Sequence, residues 1–453
     1  MDSFARAVRG RVIQPGHPEY EAARRVYNAQ IDRRPSIIVQ CACAADVIHC
    51  VNYARERKLE IAIRGGGHSA PGFGTCADGM VIDLSRLRSI RVDPDRRTAQ
   101  VEGGCTWGDV DNATHAHGLA TPGGVISTTG VGGLTTGGGF GYLSRRYGLA
   151  CDNLLSATVV TADGQLRTTD AVREPDLFWA IRGGGGNFGI VTSFEFRLHP
   201  VTDVYAGPVL YPLEQAAEVL RFFRDFMRTA PRELSAFFAF LMVPPGAPFP
   251  EALWGKTVCA IMCACTGDLA AAEAITRPLC DFGPPLLALP HPMPYPILQS
   301  LFDGLLPRGL HHYWKADFMH DLTEEAIAEH VKFGPQVPTV NSAVHIYPMD
   351  GAIHDVGSTD TAFAYRDVRF VHILAAVTPD PAPLPAYREW VRNYWAALHP
   401  HSAGGGYVNF LMDEGEERIA SSYMGNQGRL AAIKAKYDPE NLFRLNQNIK
   451  PSP

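Results

Sequence analysis

The chain has 453 residues, enough for two or three domains with a large apolar core, so neither disulfides nor a structural metal is needed to hold the fold. Apolar residues make up 46% and charged residues 19%, and the formal net charge of −6 comes without any lysine- or arginine-rich block, which excludes dedicated nucleic-acid or anionic-membrane binding. No run has the length of a membrane span and the first residues form no secretory leader, so the expectation is a cytoplasmic protein whose ten scattered cysteines are reduced thiols.

In chain order, "SIIVQC" reads as a strand and "AADVIHCVNYARER" as a helix with Val47, Ile48, Val51 and Tyr53 at apolar positions. "EIAIR" is a second strand, closing a β-α-β unit. It runs into "RGGGHS" (64–69), where side chains vanish and one imidazole, His68, follows. Glycines there let main-chain N–H groups approach a ligand and form an anion-binding nest, with Arg64 as a nearby cation. "SIRVDPDRRTAQVEGG" is a hairpin turned at Pro94–Asp95. "TPGGVISTTGVGGLTTGGGFGYLSRRYGLACDNL" (121–154) alternates glycine with Ser, Thr and small apolar residues, as suits a chain lying along an extended ligand. His115 and His117, just before it, read as solvated or capping residues near a helix end.

"SATVVTADGQLRTT" is a second hairpin, turned at Asp163–Gly164; "EPDLFWAIRG" is helical, and "GIVTSFEFRL" alternates as a strand. Between helix and strand, "GGGGNFG" (183–189) contains G-x-G-x-x-G, but in the reverse order to the dinucleotide fingerprint, which needs strand, turn, then helix. A P-loop motif is absent from the sequence. The central stretch is richer in proline and aromatics, and "FGPPLLALPHPMPYPILQ" (282–299) reads as an extended connection. Glycine returns at 404–406, followed by a mostly helical end that stops before Pro439. The pattern is α+β, with a cofactor domain split by a central insertion: 1–200, the insertion 201–403, and a returning piece 404–453.

The stretches "RGGGHS", "GGVISTTGVGGLTTGGGFGYLSRRYGLACDNL", "DLFWAIRGGGGNFGIVTSFEF" and "YVNF…YMGNQGRLAAIKAKYDPENLFRLNQNI" together resemble the berberine bridge enzyme-like FAD-linked oxidases of the vanillyl-alcohol oxidase and p-cresol methylhydroxylase (PCMH) group. The resemblance implies a PCMH-type FAD-binding domain and a substrate domain with a large antiparallel sheet covered by helices on one side. It implies FAD bonded to His68 through the flavin 8α-methyl carbon. Many relatives add a cysteine link in a G-x-C-x-x-x-G segment; the segment here is "GVISTTG", with Ile126 at the cysteine position and Cys151 well downstream. A single link is therefore expected, as in the monocovalent branch.

The resemblance also implies cofactor contacts at Arg64, Gly65, Gly66, Gly67 and Ser69; at Pro122, Gly123, Gly124, Val125 and Ser127; at Gly130, Val131 and Gly133; and at Gly137, Gly138 and Gly139. Asp152 and Asn153 are assigned to the adenine or ribose side, Ile190 and Val191 to adenine, and Asn409, Asn446 and Asn448 to the ring. No metal is expected. The implied chemistry is hydride transfer from a small-molecule C–H bearing OH or NH, or a benzylic carbon, to flavin N5, with O2 reduced to hydrogen peroxide. A dehydrogenase with another acceptor and a non-catalytic binder are the rival readings. Thr129 is the candidate oxygen gate. Tyr407 is the first candidate for base or orienting group, then Tyr313, Lys315 and His345, with His312, Tyr347 and Tyr365 behind them. Aromatic residues in the insertion point to an aromatic or apolar small-molecule substrate of secondary metabolism.

Overall fold

The computed structural model describes residues 2–453. Strands Arg11–Ile13 (β1), Ile37–Gln40 (β2), Ile61–Arg64 (β3) and Met80–Asp83 (β4) form a sheet in the order β1-β2-β4-β3. Both β2 and β3 run parallel to β4, so the chain must cross over between β2 and β3. Helix Ala44–Arg57 (α1) makes that crossing and buries Val47, Cys50, Val51 and Ala54, which helical periodicity places on one face. It stops at Lys58, whose φ of 54° is left-handed.

Strands Ile90–Asp93 (β5), Thr98–Glu102 (β6), Leu154–Val160 (β7), Leu166–Asp170 (β8) and Ile190–Arg197 (β9) form an antiparallel sheet in the order β5-β6-β9-β7-β8. The two hairpins read in the sequence are the pairs β5–β6 and β7–β8. Helix Trp107–His115 (α2) starts at a capping box, in which the Asp109 carboxylate accepts from the Thr106 N–H at 2.8 Å.

The third sheet joins Asp203–Tyr211 (β10), Leu234–Met242 (β11), Thr257–Thr266 (β12), His311–Met319 (β13), Ala343–Pro348 (β14) and Phe370–Thr378 (β15) in the antiparallel order β10-β12-β11-β14-β15-β13. The proline-rich stretch supplies two short strands on its outer edge, Leu287–Ala288 and His291–Pro294, and is not a bare connection. Strand alternation splits the sheet into two faces. Phe238, Phe240, Ile261, Ile346 and Leu374 pack under helices, among them Ala216–Thr229 and Leu384–Leu398. Phe237, Met262, Tyr347, Val371 and Phe318 face the rest of the molecule, against Phe140, Tyr142 and Tyr407.

The chain then returns. Tyr423, Leu430, Ile433 and Tyr437, on helices Glu416–Tyr423 and Gln427–Tyr437, join the core of the second sheet with Phe194 and Phe196. Fully buried Lys434 donates to the carbonyls of Asn187 and Phe443 at 2.8 and 2.9 Å and pairs with Asp438 at 2.6 Å, tying the last helix to the 183–189 glycine run. The molecule is thus α+β, with mixed and antiparallel sheets. Among the described residues no helix is long and apolar enough to cross a membrane.

Candidate functional site

A cleft of about 340 Å³ runs from the first two sheets to the free face of the third. One end is lined by Ile61, Leu84, Gly103, Ile190 and Phe443, the other by Val125, Phe140, Leu306, Trp314 and Phe410. Glycines 65–67, 124, 130, 132, 133, 185, 186 and 189 line its length. No Asp, Glu, Lys or Arg side chain is among the lining residues, so a ligand there is met by main chain, apolar surface and neutral polar side chains.

The 65–69 turn is positioned by an ion pair. Arg64 and Asp83 are register partners on β3 and β4, and their buried side chains meet at 2.8 Å. The Arg64 cation is therefore a strut under the turn and does not line the cleft. Gly67 takes φ +69°, which a side chain would strain, and its carbonyl accepts from the Tyr27 N–H at 2.9 Å. Tyr27 stacks on His68 with ring centroids 3.8 Å apart. His68 Nε2 lies 3.0 Å from Thr128 Oγ1, while Nδ1 has no hydrogen-bond partner among the described residues. Desolvation, helped by Arg308 and His312, pushes the His68 imidazole down to about 3, so it is neutral across the physiological range.

The second glycine loop crosses the first at contact distance. A Cβ on Gly66 would fall 2.4 Å from the Gly130 nitrogen, so neither position admits a side chain. Main-chain bonds from Trp107 and Gly108 to the carbonyls of Thr129 and Ser127 hang this loop on α2. Gly133 differs: nothing lies within 4 Å of where its Cβ would be, although it lines the cleft. That bare space beside main chain, and the buried unpartnered Asn446 Oδ1 farther along the lining, are what a flat heteroaromatic cofactor requires.

On the returning segment, the Tyr407 hydroxyl oxygen accepts from Gly139 N–H at 2.9 Å and from Asn409 Nδ2 at 2.7 Å. Burial raises its pKa, so it stays protonated, and its own proton remains to be donated. Asn409 also donates to the Leu134 carbonyl at 3.1 Å.

Of the residues assigned to the site, Gly65, Gly66, Gly67, His68, Ser69, Gly124, Val125, Gly130, Gly133, Ile190, Val191, Tyr407, Asn409 and Asn446 line the cleft. Pro122, Gly123, Ser127, Val131, Gly137, Gly138, Gly139 and Asn448 do not; several stand behind the wall, with Gly123 against the Trp107 ring and Gly137 against Asn409. Four more of the assigned residues have their partners away from the cleft. Asp152 forms a bidentate pair with Arg366 at 2.7 and 2.8 Å and so braces the join to the third sheet, and Asn153 donates to the Tyr147 and Leu149 carbonyls of its own loop. Tyr313 and Lys315 fall on the helix-covered face of β13: Tyr313 accepts from Arg392 at 3.1 Å, and Lys315 pairs with Glu414 over the Trp395 ring. Alternation puts His312 and Trp314 on the other face instead. His345 lies on the free face but one ring beyond the cleft lining, and its partner Tyr347 packs 5.1 Å from Phe140. Sequence reasoning missed Tyr27, Phe140, Leu306 and Phe410; only Phe140, inside the second glycine loop, carried a local signal.

A cradle of bare main chain between a mixed sheet and an antiparallel one, with an aromatic-walled mouth on a third sheet, defines a flavin-binding oxidoreductase of the PCMH type. Family models agree: residues 35–170 match an FAD binding domain, and residues 406–450 match the berberine and berberine-like segment. An FAD-linked oxidoreductase of Dictyostelium discoideum is 32% identical over 100% of this chain and 97% of its own. The (R)-6-hydroxynicotine oxidase of Paenarthrobacter nicotinovorans is 29% identical over 98% of this chain and 97% of its own. The crystal structure of 6-hydroxy-D-nicotine oxidase from Arthrobacter nicotinovorans superposes with a TM-score of 0.88 at 28% identity, covering 98% of both chains. The protein belongs to the berberine bridge enzyme-like family of FAD-linked oxidoreductases.

Proposed function

We propose that this enzyme is an oxidase with FAD joined to His68 alone, acting on a small molecule through a C–H that bears oxygen or nitrogen or is benzylic. Bound FAD supplies the two-electron acceptor, and O2 is the final oxidant. The observation that carries the reading is the neutral His68, stacked by Tyr27 and with Nδ1 free, at the end of a turn too tight for side chains. Ile126 lines the same cleft where a second link would need a thiol.

Tyr407 is the residue of this chain best placed to handle a proton. Two donors occupy its oxygen, which leaves its O–H free to donate, and Tyr407 lines the cleft. The lining carries no side-chain charge, and the walls Phe140, Trp314 and Phe410 exclude water around the reacting carbon. Small Thr129 on the lining is the assigned oxygen gate. The division into 1–200, 201–403 and 404–453 is part of the same proposal, supported by the return of Tyr423 and Leu430 to the core of the second sheet.

The test is acid precipitation of the purified protein. Yellow colour that stays with the pellet, and moves to the supernatant in His68→Ala, supports the link; colour lost from the wild type refutes it. Anaerobic bleaching by substrate followed by re-oxidation in air, with one peroxide per turnover, supports the oxidase. Bleaching that only an artificial acceptor reverses makes it a dehydrogenase.

A further inference from the structure

Beyond Phe140 and Phe410 lies the sheet face that the helices leave free, and its ladder can be read side chain by side chain. Leu241 pairs with Ala343, Ala343 with Ala375, and Ala375 with Trp314. Two residues along each strand, Ala239 pairs with His345, His345 with Ile373, and Ile373 with Ala316. Four of these eight side chains are alanine: Ala239 and Ala316 are buried with Ile373, while Ala343 and Ala375, half-buried like His345, Leu241 and Trp314, leave a shallow recess beside the imidazole, next to the cleft that Trp314 lines. The rings of Phe237 and Phe302 stand 5.0 and 6.5 Å from His345. His345 is the one titratable residue in the two rows, and neither they nor the cleft lining contain a carboxylate or a cationic side chain.

The tautomer of His345 follows from its partner. Nδ1 is 2.7 Å from the Tyr347 hydroxyl, and among the described residues that hydroxyl has no other hydrogen-bond partner. A buried hydroxyl must give its proton to an acceptor, so Tyr347 donates and Nδ1 accepts. Burial lowers the imidazole to about 4, so it carries one proton at neutral pH, and that proton sits on Nε2. Nε2 has no protein partner among the described residues, and His345 is only half-buried. The N–H is therefore presented to the recess.

We propose that His345 is a specificity-determining residue whose Nε2–H donates to an oxygen of a flat aromatic substrate, neutral or phenolate, and that the recess rejects cationic amines. This rests on the flavin-site reading above and names the substrate class of that site. An aromatic ring gains contact with the alanine floor and the phenylalanine walls, while a cation would be desolvated with no counter-charge.

The experiment is equilibrium titration of oxidised, FAD-loaded protein with phenol, fluorobenzene and trimethylphenylammonium, none of which has a C–H fit for oxidation. Flavin absorbance and tryptophan fluorescence report binding. We expect phenol to bind about tenfold tighter than fluorobenzene, the size of one hydrogen bond, with the cation weakest. His345→Phe should erase the phenol preference while leaving flavin content and fluorobenzene affinity in place. His345→Gln, which keeps an N–H donor, should retain part of the preference. Tyr347→Phe should narrow it, because the tautomer is no longer set. Equal binding of phenol and fluorobenzene by the wild type, a preference that survives in His345→Phe, or tightest binding of the cation overturns the proposal. Protein isolated without FAD overturns both readings; a flavin-loaded protein with no phenol preference overturns this one alone.

Discussion

The two ends of the cleft are built on opposite plans. At the cofactor end the wall is main chain, made where Gly66 and Gly130 touch and neither position admits a side chain. At the sheet end the wall is made of side chains, and strand parity decides which of them a ligand meets. A main-chain wall binds whatever suits N–H groups and a flat face, so it specifies a cofactor. A side-chain wall can change residue by residue without moving the fold, so substrate choice is written there.

The largest expected effect separates two glycines of the first plan. Gly66→Ala puts a Cβ 2.4 Å from the Gly130 nitrogen, so the two turns must part. We expect loss of most bound flavin and a lower melting temperature, with a stability cost of about 1–3 kcal/mol. Gly133→Ala meets no protein atom within 4 Å and should melt like the wild type while holding flavin less tightly. Flavin-to-protein absorbance ratios with thermal melts check both. If both variants melt alike and hold flavin alike, the wall is not main chain in the sense argued.

The next effect asks whether Tyr407 belongs to the chemistry or to the wall. Tyr407→Phe should lower turnover by about a hundredfold, within the range of general acid–base contributions. It should also cost stability, because the Gly139 N–H loses its acceptor. Stopped-flow reduction at saturating substrate separates the two: a purely structural tyrosine would change melting and leave the reduction rate.

Acid stability tests the whole molecule. His68, His199, His312, His345 and His372 are held at about 3 to 4 by burial, and His330 also lies well below its usual value. Each is neutral in the folded state and protonates once unfolded. Below about pH 6.5 the unfolded chain therefore binds more protons, and stability falls as pH falls. Asp111, raised to about 8 by burial, has the opposite sign between its unfolded value and pH 8, but it is one group against six. Melting temperatures should decline steadily from pH 7 to 5, with net proton uptake on unfolding measurable by calorimetry in buffers of different ionisation heat. A flat profile would remove the buried-histidine account.

The cofactor end was legible in the sequence because glycine is a direct signal: close main-chain approach leaves a residue-type signature at the place where it occurs. "RGGGHS" and "GVISTTGVGG" could be placed on a ligand without knowing any long-range contact. The sheet end was not legible, since its meaning depends on which face of a strand is covered, and that is decided by helices far along the chain. Asp152 shows the limit of local reading even near the glycines. A polar residue after "GLAC" resembles a ribose contact, yet its partner is Arg366, 214 residues later.

Tyr313 and Tyr407 carry this contrast in a pair of identical side chains. The sequence offered both as candidates, but Tyr407 packs among Phe140, Phe363 and Phe410 while the Tyr313 ring lies under Arg388 and Arg392. Tyr313 sits on the face of β13 that packs toward the helices, half-buried, with its hydroxyl accepting from Arg392. Tyr313→Phe removes one exposed hydrogen bond and no cavity-lining atom, so it should change kcat and KM by less than about twofold and stability by less than about 0.5 kcal/mol. Shifting β13 by one residue would exchange the roles of Tyr313 and Trp314, because every side chain on a strand changes face with a single step of register. A large loss of activity in Tyr313→Phe with unchanged melting would mean that β13 presents its other face to the cleft, and the side-chain wall described for the sheet end would have to be redrawn from that strand outward.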